Sequence, residues 1–187
     1  MKFKTLIIII GVVALLTACG KNGDSSSSNK GENSGNKSQI TNPVTEITEG
    51  QAKKIYSSLF RVPSGAKNVK WSVIDSAESS EKNAPRLLEF NFDLDGKSFT
   101  AREKKSNSGN ANFSGLYYVW SVEDPFEFTD KNGNKLSGEA FRYNGKDECV
   151  DLCIWSDPHN GMSYTLSVSA KSLDGFDLQA IVEMITP

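Results

Sequence analysis

The sequence predicts an α+β domain in which a curved, largely meandering antiparallel sheet of about seven to eight strands is flanked by an N-terminal and a C-terminal helix. Three observations predict this fold. Apolar residues recur at helical spacing near both ends of the region 46–187, and alternating apolar and polar residues fill the space between them. Short turns join the alternating segments and favour antiparallel neighbours, because parallel pairing needs a long crossover. We expect both helices to cover one face of the sheet.

The first helix is predicted to begin after Thr48, because Thr48 and Gln51 have the spacing of a capping box. Apolar residues then recur at helical spacing as far as Leu59. We expect the helix to end near Phe60, because the turn sequence Pro-Ser-Gly follows at 63–65.

Alternation predicts the strands that follow, and the clearest of them is 86–94. Its side chains Leu88, Phe90, Phe92 and Leu94 are expected to face the core. The other strands are predicted at 69–74, 99–101, 116–122, 126–128, 140–143, 148–155 and Met162–Ala170. The strand at 116–122 carries aromatic residues on both faces and is expected to end at Pro125.

Turn and cap residues place the remaining boundaries. Asp95-Gly96 and Asn132-Gly133 each predict a hairpin, since these residue types tolerate a positive φ, and a third turn is expected near Asn144-Gly145. The last helix is predicted with Asp174 as its N-cap. Its apolar stripe is expected to consist of Phe176, Ala180, Ile181 and Met184.

The N-terminus has the pattern of a secretory signal peptide, with Lys2 and Lys4 before the apolar run 5–16. A helix of about a dozen residues covers about 18 Å, against about 30 Å of hydrocarbon in a bilayer. We therefore predict that 1–18 is a removable signal peptide, with a permanent anchor helix as the alternative.

The residues Leu16-Thr17-Ala18-Cys19-Gly20 resemble the lipobox of bacterial lipoproteins. The resemblance implies cleavage between Ala18 and Cys19 and a diacylglyceryl group on the Cys19 thiol. Two acyl chains give a stable anchor where one binds only marginally. The protein is therefore expected at the cell membrane, lipid-anchored and facing outside the cytoplasm. The alternative is an incidental cysteine after an ordinary signal peptide.

The segment 19–45 is predicted to be a flexible linker after the lipidated cysteine. It is dominated by Ser, Asn, Gly and Lys, so it cannot bury enough apolar surface to offset chain entropy. About 25 residues of this kind reach about 25–30 Å. The linker would hold a single domain, 46–187, away from a membrane surface.

Four segments of the domain resemble a family of Gram-positive, mainly clostridial lipoproteins, the domain-of-unknown-function family 4367. They are 62–69 (VPSGAKNV), 115–120 (GLYYVW), 164–168 (YTLSV) and 173–180 (LDGFDLQA), in that order. That family has no established activity, so the resemblance transfers no functional residue. It implies a surface location and a protein that is not an enzyme.

Charge argues against a nucleic acid partner. The chain has 21 basic and 23 acidic residues, a formal charge of -2, and the predicted leader contributes two of the lysines. Phosphate binding requires clustered Lys and Arg, and the sequence has no basic stripe.

Cys149 and Cys153 are the residues that most invite a metal or disulfide interpretation. Four residues along a strand span about 13 Å, whereas the Cα atoms of a disulfide lie within about 7 Å. We therefore expect structural thiols, packed as small apolar groups. A disulfide after distortion of the strand stays open, as does a metal or redox site that includes Asp151.

Other chemistry fits the sequence less well, and we predict no catalytic residues, no metal site and no cofactor. Asp130 opens a sequence like a calcium loop, but Lys135 and Phe141 occupy the positions that require Gly and Glu. His159 lies in a predicted turn. The carboxylates that glycoside hydrolysis would need lie mostly at turns or on solvent-facing positions, namely Asp93, Asp95, Glu123, Asp124 and Glu127.

Tyr117, Trp120 and Trp155 are the candidate ligand face, because aromatic rings on an open sheet stack on sugars or pack on a protein. The alternative is that these rings pack beneath the helices. We expect a non-catalytic interaction module that contacts an envelope protein or polymer. The second hypothesis is a solute-binding lipoprotein serving a transporter or sensor, which requires a cavity of a few hundred Å³ with convergent polar groups.

The lipobox yields the first testable prediction. Native protein should have an intact mass that begins at Cys19 and includes a diacylglyceryl adduct. Cys19→Ser removes the acceptor thiol and should release the protein from the membrane fraction, whereas Cys149→Ser should stay membrane-bound. A native mass that begins at Met1 without a lipid adduct would contradict the prediction.

Overall fold

The computed structural model describes residues 42–75, 85–106 and 109–187. The predicted signal peptide, Ala18, Cys19 and the linker up to residue 41 lie outside the described residues. In chain order the elements are β1 Val44–Ile47, α1 Glu49–Ile55, β2 Lys67–Ile74, β3 Leu87–Leu94, β4 Lys97–Lys105, β5 Val122–Thr129, β6 Lys135–Asn144, β7 Cys149–Asp157, β8 Met162–Ala170 and α2 Leu178–Ile185.

The eight strands form one open antiparallel sheet in the order β1-β2-β3-β4-β8-β7-β6-β5. The predicted antiparallel sheet and its strand number are confirmed. Consecutive strands pair as a meander from β1 to β4 and again from β5 to β8, as predicted. At the centre of the sheet the meander prediction is wrong, because β4 pairs with β8 and not with β5. The chain between Lys105 and Val122 therefore crosses the second half of the sheet to reach its far edge.

The face that carries Phe90, Ala101 and Leu166 holds the main core, and we call it the helix side. The predicted inward residues of β3 are confirmed, since Leu88, Phe90 and Phe92 are buried. Phe90 stacks on Phe92 with ring centroids 4.9 Å apart, which continues a row of aromatic rings along the helix side. The Asp95-Gly96 turn is also confirmed, with φ of 49° and 76°.

The capping box of α1 is confirmed, because the Thr48 side chain accepts from the Gln51 amide and the Gln51 side chain accepts from the Thr48 amide. The predicted end near Phe60 is wrong. The helix stops at Ile55, and Tyr56 is extended, with φ of -130° and ψ of 133°. The Tyr56 hydroxyl donates to the Arg86 carbonyl at 2.6 Å. Leu59 and Phe60 are buried without being helical, so helical cover of the sheet is shorter than predicted.

Helix α2 begins three residues later than predicted. Asp177, not Asp174, is the N-cap, and its carboxylate accepts from the amides of Gln179 and Ala180 at 2.9 and 3.3 Å. Gly175 has a φ of 69°, so Asp174 and Gly175 form a turn that comes before the helix. The shift rotates the apolar face, so Met184 is half exposed. The buried face consists of Leu178, Ile181, Val182 and Ile185.

Both edge strands differ from expectation. β1 was missed: all four of its residues pair with β2, and the first two, Val44 and Thr45, lie inside the segment predicted as linker. Three of its four residues are exposed, so it has little apolar alternation. The predicted strand at 116–122 is wrong, because pairing begins only at Val122. Pro125 lies within β5 and does not end a strand, which the free edge of β5 allows.

Glu103 is a buried carboxyl group on the helix side of β4. It is 0% exposed, and neither carboxyl oxygen has a hydrogen-bond partner among the described residues. Burial raises the pKa of Glu103 well above its ordinary value, and the nearby Phe60 backbone offsets only part of this shift. The carboxyl group therefore keeps its proton to a higher pH in the folded protein than an exposed glutamate does.

Glu103 should make the protein less stable as the pH rises. The unfolded chain releases this proton near pH 4.3, whereas the folded protein keeps it to a higher pH, so the unfolded state binds fewer protons in between. Relative to Glu103→Gln, the wild-type free energy of unfolding should fall by about 1.4 kcal/mol per pH unit in that window. Urea denaturation from pH 4 to 8 measures the difference. A difference that does not change with pH would contradict the prediction, and Glu123→Gln is the exposed control.

Candidate functional site

Residues 109–121, here called the crossover segment, lie against the sheet face opposite the helix side. Arg102 projects from β4 on this face, and its Nη1 donates to the carbonyls of Phe113 and Ser114 at 3.2 and 2.5 Å. The Ser163 hydroxyl of β8 donates to the Gly109 carbonyl at 2.9 Å. Side chains of two central strands thus hold the first part of the crossover segment on the sheet.

Gly115 is required where the crossover segment passes Arg102. A Cβ at this position would lie 2.8 Å from Arg102 Nη1, and the residue has a φ of 78°. Both the close approach and the positive φ favour glycine. The segment GLYYVW therefore begins with a residue whose positive φ favours glycine.

Aromatic rings hold the second part of the crossover segment. Tyr118 stacks on Tyr143 of β6 with centroids 4.6 Å apart, and Trp120 packs on Phe141 at 5.6 Å. The Tyr118 hydroxyl donates to Glu148 at 3.2 Å. These contacts direct Tyr118 and Trp120 inward, toward the sheet.

The intervening side chains point outward. Tyr117 is 87% exposed and Val119 is 91% exposed. The predicted alternation of this segment is therefore present, with Tyr118 and Trp120 on one side and Tyr117 on the other. The predicted strand is absent. Alternation indicates which side chains point to the same side, but it does not show that the backbone hydrogen-bonds to a neighbouring strand.

The predicted ligand face is only partly assembled. Tyr117 is exposed and Trp120 is half-buried, and both belong to the crossover segment. Trp155 is wrong as a member of this face. It is fully buried on the helix side, where its ring stacks on Tyr164 at 5.3 Å. Large apolar residues lie on both faces of β7 and both faces are buried, so its sequence pattern could not indicate the side on which Trp155 lies.

A second feature is a cavity of about 240 Å³ on the helix side, between the N-terminal end of α2 and strands β5, β6 and β7. We call it the α2 cavity. Its polar lining combines three carboxylates, one guanidinium, one amide and one thiol. These groups are Asp124, Asp151, Asp177, Arg142, Gln179 and Cys153.

Arg142 and Asp151 form a forked ion pair in the wall of the α2 cavity. Arg142 Nε and Nη2 donate to the two Asp151 carboxylate oxygens at 2.7 and 2.6 Å. The hydrogen bonds that Arg142 donates to Asp151 raise the pKa of Arg142. From the sequence, Asp151 was considered only as a metal ligand, and its ion pair with Arg142 was not predicted. The signal that could have found the pair is their position directly opposite each other across the β6–β7 hairpin.

Cys153 is a buried thiol facing the α2 cavity, and Cys149 lies half-buried at the start of the same strand. Both are free, and they pair with Leu166 and Ala170 in regular register, as expected for separated thiols in a strand. Burial raises the pKa of Cys153, and the neighbouring charges of Asp151 and Asp177 raise it further. Among residues 42–75, 85–106 and 109–187, no three His, Cys, Asp or Glu side chains form a metal-binding group.

Other predicted candidates have local structural roles. Asp130 accepts from the amides of Asn132 and Asn134 at 2.8 Å each, so the calcium-like sequence forms a closed hairpin turn. Its pKa is lowered by bonds from the side chains and amides of Asn134 and Asn132, which outweigh the opposing effect of desolvation. The His159 amide donates to Asp157 in the predicted turn. Asp93 accepts from the side chain of Ser98 at 2.6 Å, which lowers the pKa of Asp93.

Comparison of the chain with protein-family models, curated proteins and solved structures finds no match. The resemblance to clostridial lipoproteins therefore stays a prediction from the sequence. No helix in the described part of the chain has the length and apolar character to cross a membrane.

The Arg142–Asp151 pair should be important for stability. The Asp151 side chain is only 6% exposed, so Arg142→Met would leave a buried carboxylate without its partner. Because Arg142 is itself 35% exposed and water can enter the cavity, we expect a loss of about 2 kcal/mol or more, below the full cost of a buried pair.

Urea denaturation measures this loss, and the double variant Arg142→Met/Asp151→Leu is the control. Removing both charges should restore most of the stability. A single variant within about 0.5 kcal/mol of wild type would show that the pair contributes little.

Proposed function

We propose that this protein is a membrane-anchored extracytoplasmic lipoprotein whose domain is a non-catalytic binding or interaction module. The observation that carries the proposal is the outward pair Tyr117 and Val119 on the crossover segment. These two side chains are the most exposed large hydrophobic residues in the described part of the chain and lie on the same side of one segment, and contiguous exposed apolar surface favours an interaction site. The crossover segment is held on the sheet, so it presents them in a defined arrangement.

The sequence supports an envelope location for this surface. The lipobox ending at Cys19 would supply two acyl chains, and the segment after it would act as a tether of about 25–30 Å. A domain held in this way stays near the membrane and can reach components of the cell envelope.

A non-catalytic role is supported by what the reactive groups contact. The Cys153 thiol is buried with a raised pKa, so it stays protonated and is a poor nucleophile. The Asp151 carboxylate is paired with Arg142, and the Asp130 carboxylate is occupied by its own turn. These groups stabilise the fold and are not poised to attack a substrate.

The surface suits an envelope protein or an envelope polymer. An exposed tyrosine is among the residues that contribute most to protein interfaces, and its flat ring also stacks on sugars. Val119 lies two positions along the same outward side, so a partner would contact both side chains. Trp120 lies between Phe141 and the surface and would support such a contact from below.

The second candidate function is a solute-binding lipoprotein that serves a transporter or sensor. The α2 cavity supports it, because a volume of about 240 Å³ with a partly polar lining can hold a small ligand.

The surface formed by Tyr117 and Val119, here called the crossover surface, is tested by comparing Tyr117→Ala/Val119→Ser with Val44→Ser. Val44 is also an exposed apolar residue, but it lies on β1 at the opposite edge of the sheet. The double variant should weaken binding to the envelope partner by about tenfold or more, while its stability changes by less than about 0.5 kcal/mol. Val44→Ser should bind as wild type does.

Full-length protein in detergent is incubated in two arms, with purified cell-wall polymer and with solubilised envelope proteins, and bound material is quantified. Binding that is equal for wild type and the double variant in both arms would overturn the crossover surface. Loss in one arm alone identifies the class of partner.

A further inference from the structure

We propose that residues 56–61, here called the strap, cover Glu103 as a pH-sensitive lid that opens when this carboxyl group loses its proton. Opening would uncover an aromatic cluster on the helix side that consists of Phe90, Trp155 and Tyr164. The strap lies on the face of the sheet opposite the interaction surface proposed above, and its opening involves no outward residue of the crossover segment.

The strap is tied at both of its ends. At the first end the Tyr56 hydroxyl donates to the Arg86 carbonyl at 2.6 Å, just before β3. At the second end the Arg61 amide donates to the Ile185 carbonyl at 2.8 Å, and Arg61 Nε donates to the Thr186 carbonyl at 2.6 Å. These bonds join the strap to the sheet and to the end of α2, so its middle can move while its ends stay in place.

The middle of the strap, 57–60, is held mainly by apolar contacts. Among the described residues its backbone makes no backbone–backbone hydrogen bond, while Leu59 and Phe60 are buried. The Phe60 ring packs on Tyr164 and Trp155 with centroid distances of 5.3 and 6.2 Å. A segment with few backbone hydrogen bonds is typical of the parts of a fold that open without global unfolding.

Polar groups beneath the strap lack partners while it is closed. Glu103 is fully buried, and its two carboxyl oxygens, Trp155 Nε1 and Trp71 Nε1 have no hydrogen-bond partner in the described part of the chain. The Phe60 backbone lies near Glu103, and the Phe60 ring contacts Trp155 and Phe90, on which Trp71 stacks at 4.4 Å. Buried polar groups are normally hydrogen-bonded, so these atoms favour a state that water can reach.

Loss of the Glu103 proton would shift this balance further toward opening. A carboxylate loses its hydration in an apolar interior, and no ion pair of Glu103 occurs among the described residues. An open strap lets water hydrate the charge, whereas the protonated group is less costly to bury. The raised pKa of Glu103 expresses the same preference, because burial is its largest cause.

The other groups around Glu103 do not supply a compensating charge. The titratable or charged groups on the neighbouring elements are Tyr56, Arg86, Lys105, Asp157 and Tyr164. Burial raises the pKa of both tyrosines, so they stay neutral through the pH range of the test. Arg86 and Lys105 are exposed to water, and the Asp157 carboxylate accepts from the His159 amide. None of these groups is a partner of the Glu103 carboxyl group.

Hydrogen exchange measures opening of the strap. Full-length protein in detergent is compared with Glu103→Gln from pH 5 to 8, with the Phe60 amide and the Trp155 indole N–H as reporters and each rate divided by its intrinsic rate. Opening releases a proton only in wild type. The ratio of wild-type to variant opening should therefore rise about tenfold per pH unit until the pH reaches the pKa of Glu103 in the closed state, and stay constant above it. Glu123→Gln is the exposed control and should leave wild-type exchange unchanged within about twofold.

Urea distinguishes opening of the strap from unfolding of the whole domain. Leu166 lies in the central strand β8 and pairs on both sides, so its amide should exchange through global unfolding and accelerate in low urea. The reporters on Phe60 and Trp155 should exchange through the open strap, which exposes little surface, so low urea should change their rates less than about twofold.

The same urea dependence for all three protons would mean that the strap leaves the sheet only on global unfolding, and would overturn the proposal. A wild-type to Glu103→Gln ratio that does not change with pH would also overturn it. Glu103→Leu keeps the test valid if a buried Gln is poorly tolerated, because it removes both the charge and the unpartnered oxygens. It should slow exchange at Phe60 by about tenfold or more at pH 8, and a rate equal to wild type would contradict the proposal. Tyr117→Ala/Val119→Ser should keep the wild-type strap, so failure of the crossover surface and failure of the strap are separate results.

Discussion

The pairing of β4 with β8 is the constraint on which the rest of this structure depends. It places the second meander in reverse order, with β7 and β6 between β8 and the edge strand β5. The chain that leaves β4 must then cross that half of the sheet to begin β5. Arg102 holds the crossing chain at its start through the carbonyls of Phe113 and Ser114, while its Nε donates to Glu89 at 2.8 Å.

The crossover explains why β7 is buried on both faces. An open antiparallel sheet commonly has one face toward solvent and alternates accordingly. In β7 the side chains of Val150, Leu152 and Ile154 face away from the helices, and they are nevertheless buried. The crossover segment lies on that face, so the apolar residues on both sides of β7 and the long connection after β4 are two consequences of one topology.

The sequence correctly predicted the elements of this fold that depend on residues close together in the chain. The capping box at Thr48, the turn at Asp95-Gly96 and the strand β8 follow from spacing, positive φ and alternation, each of which involves neighbouring residues. The α2 boundary was missed because Asp174 and Asp177 both have the chemistry of an N-cap, and only packing of the following residues distinguishes them. The β4–β8 pairing was missed because no local pattern specifies a partner strand that lies about 60 residues away.

The candidate sites were less predictable than the fold because they depend on which faces the strands share. Tyr117 and Trp120 belong together through a connection whose path follows from the strand order. Trp155 instead packs beneath the helices, the alternative that the sequence left open, because β7 is buried on both faces and its pattern does not indicate a side. The α2 cavity combines residues of β5, β6, β7 and the start of α2, which no motif relates. Only the Arg142–Asp151 pair had a sequence signal, namely its register across one hairpin.

Strand β6 contributes side chains to both the crossover side and the α2 cavity, on its two opposite faces. Its Phe141 side chain contacts Trp120 on the crossover side, and its Arg142 side chain lines the α2 cavity on the opposite side. The end of the crossover segment is bonded to the same strand, because the Ser121 amide and hydroxyl both donate to the Arg142 carbonyl at 2.8 Å. Alternation therefore keeps the side chains of the two surfaces independent, while a shared backbone fixes the distance between them. A domain built in this way places the outward residues of the crossover segment on one face and the α2 cavity on the other.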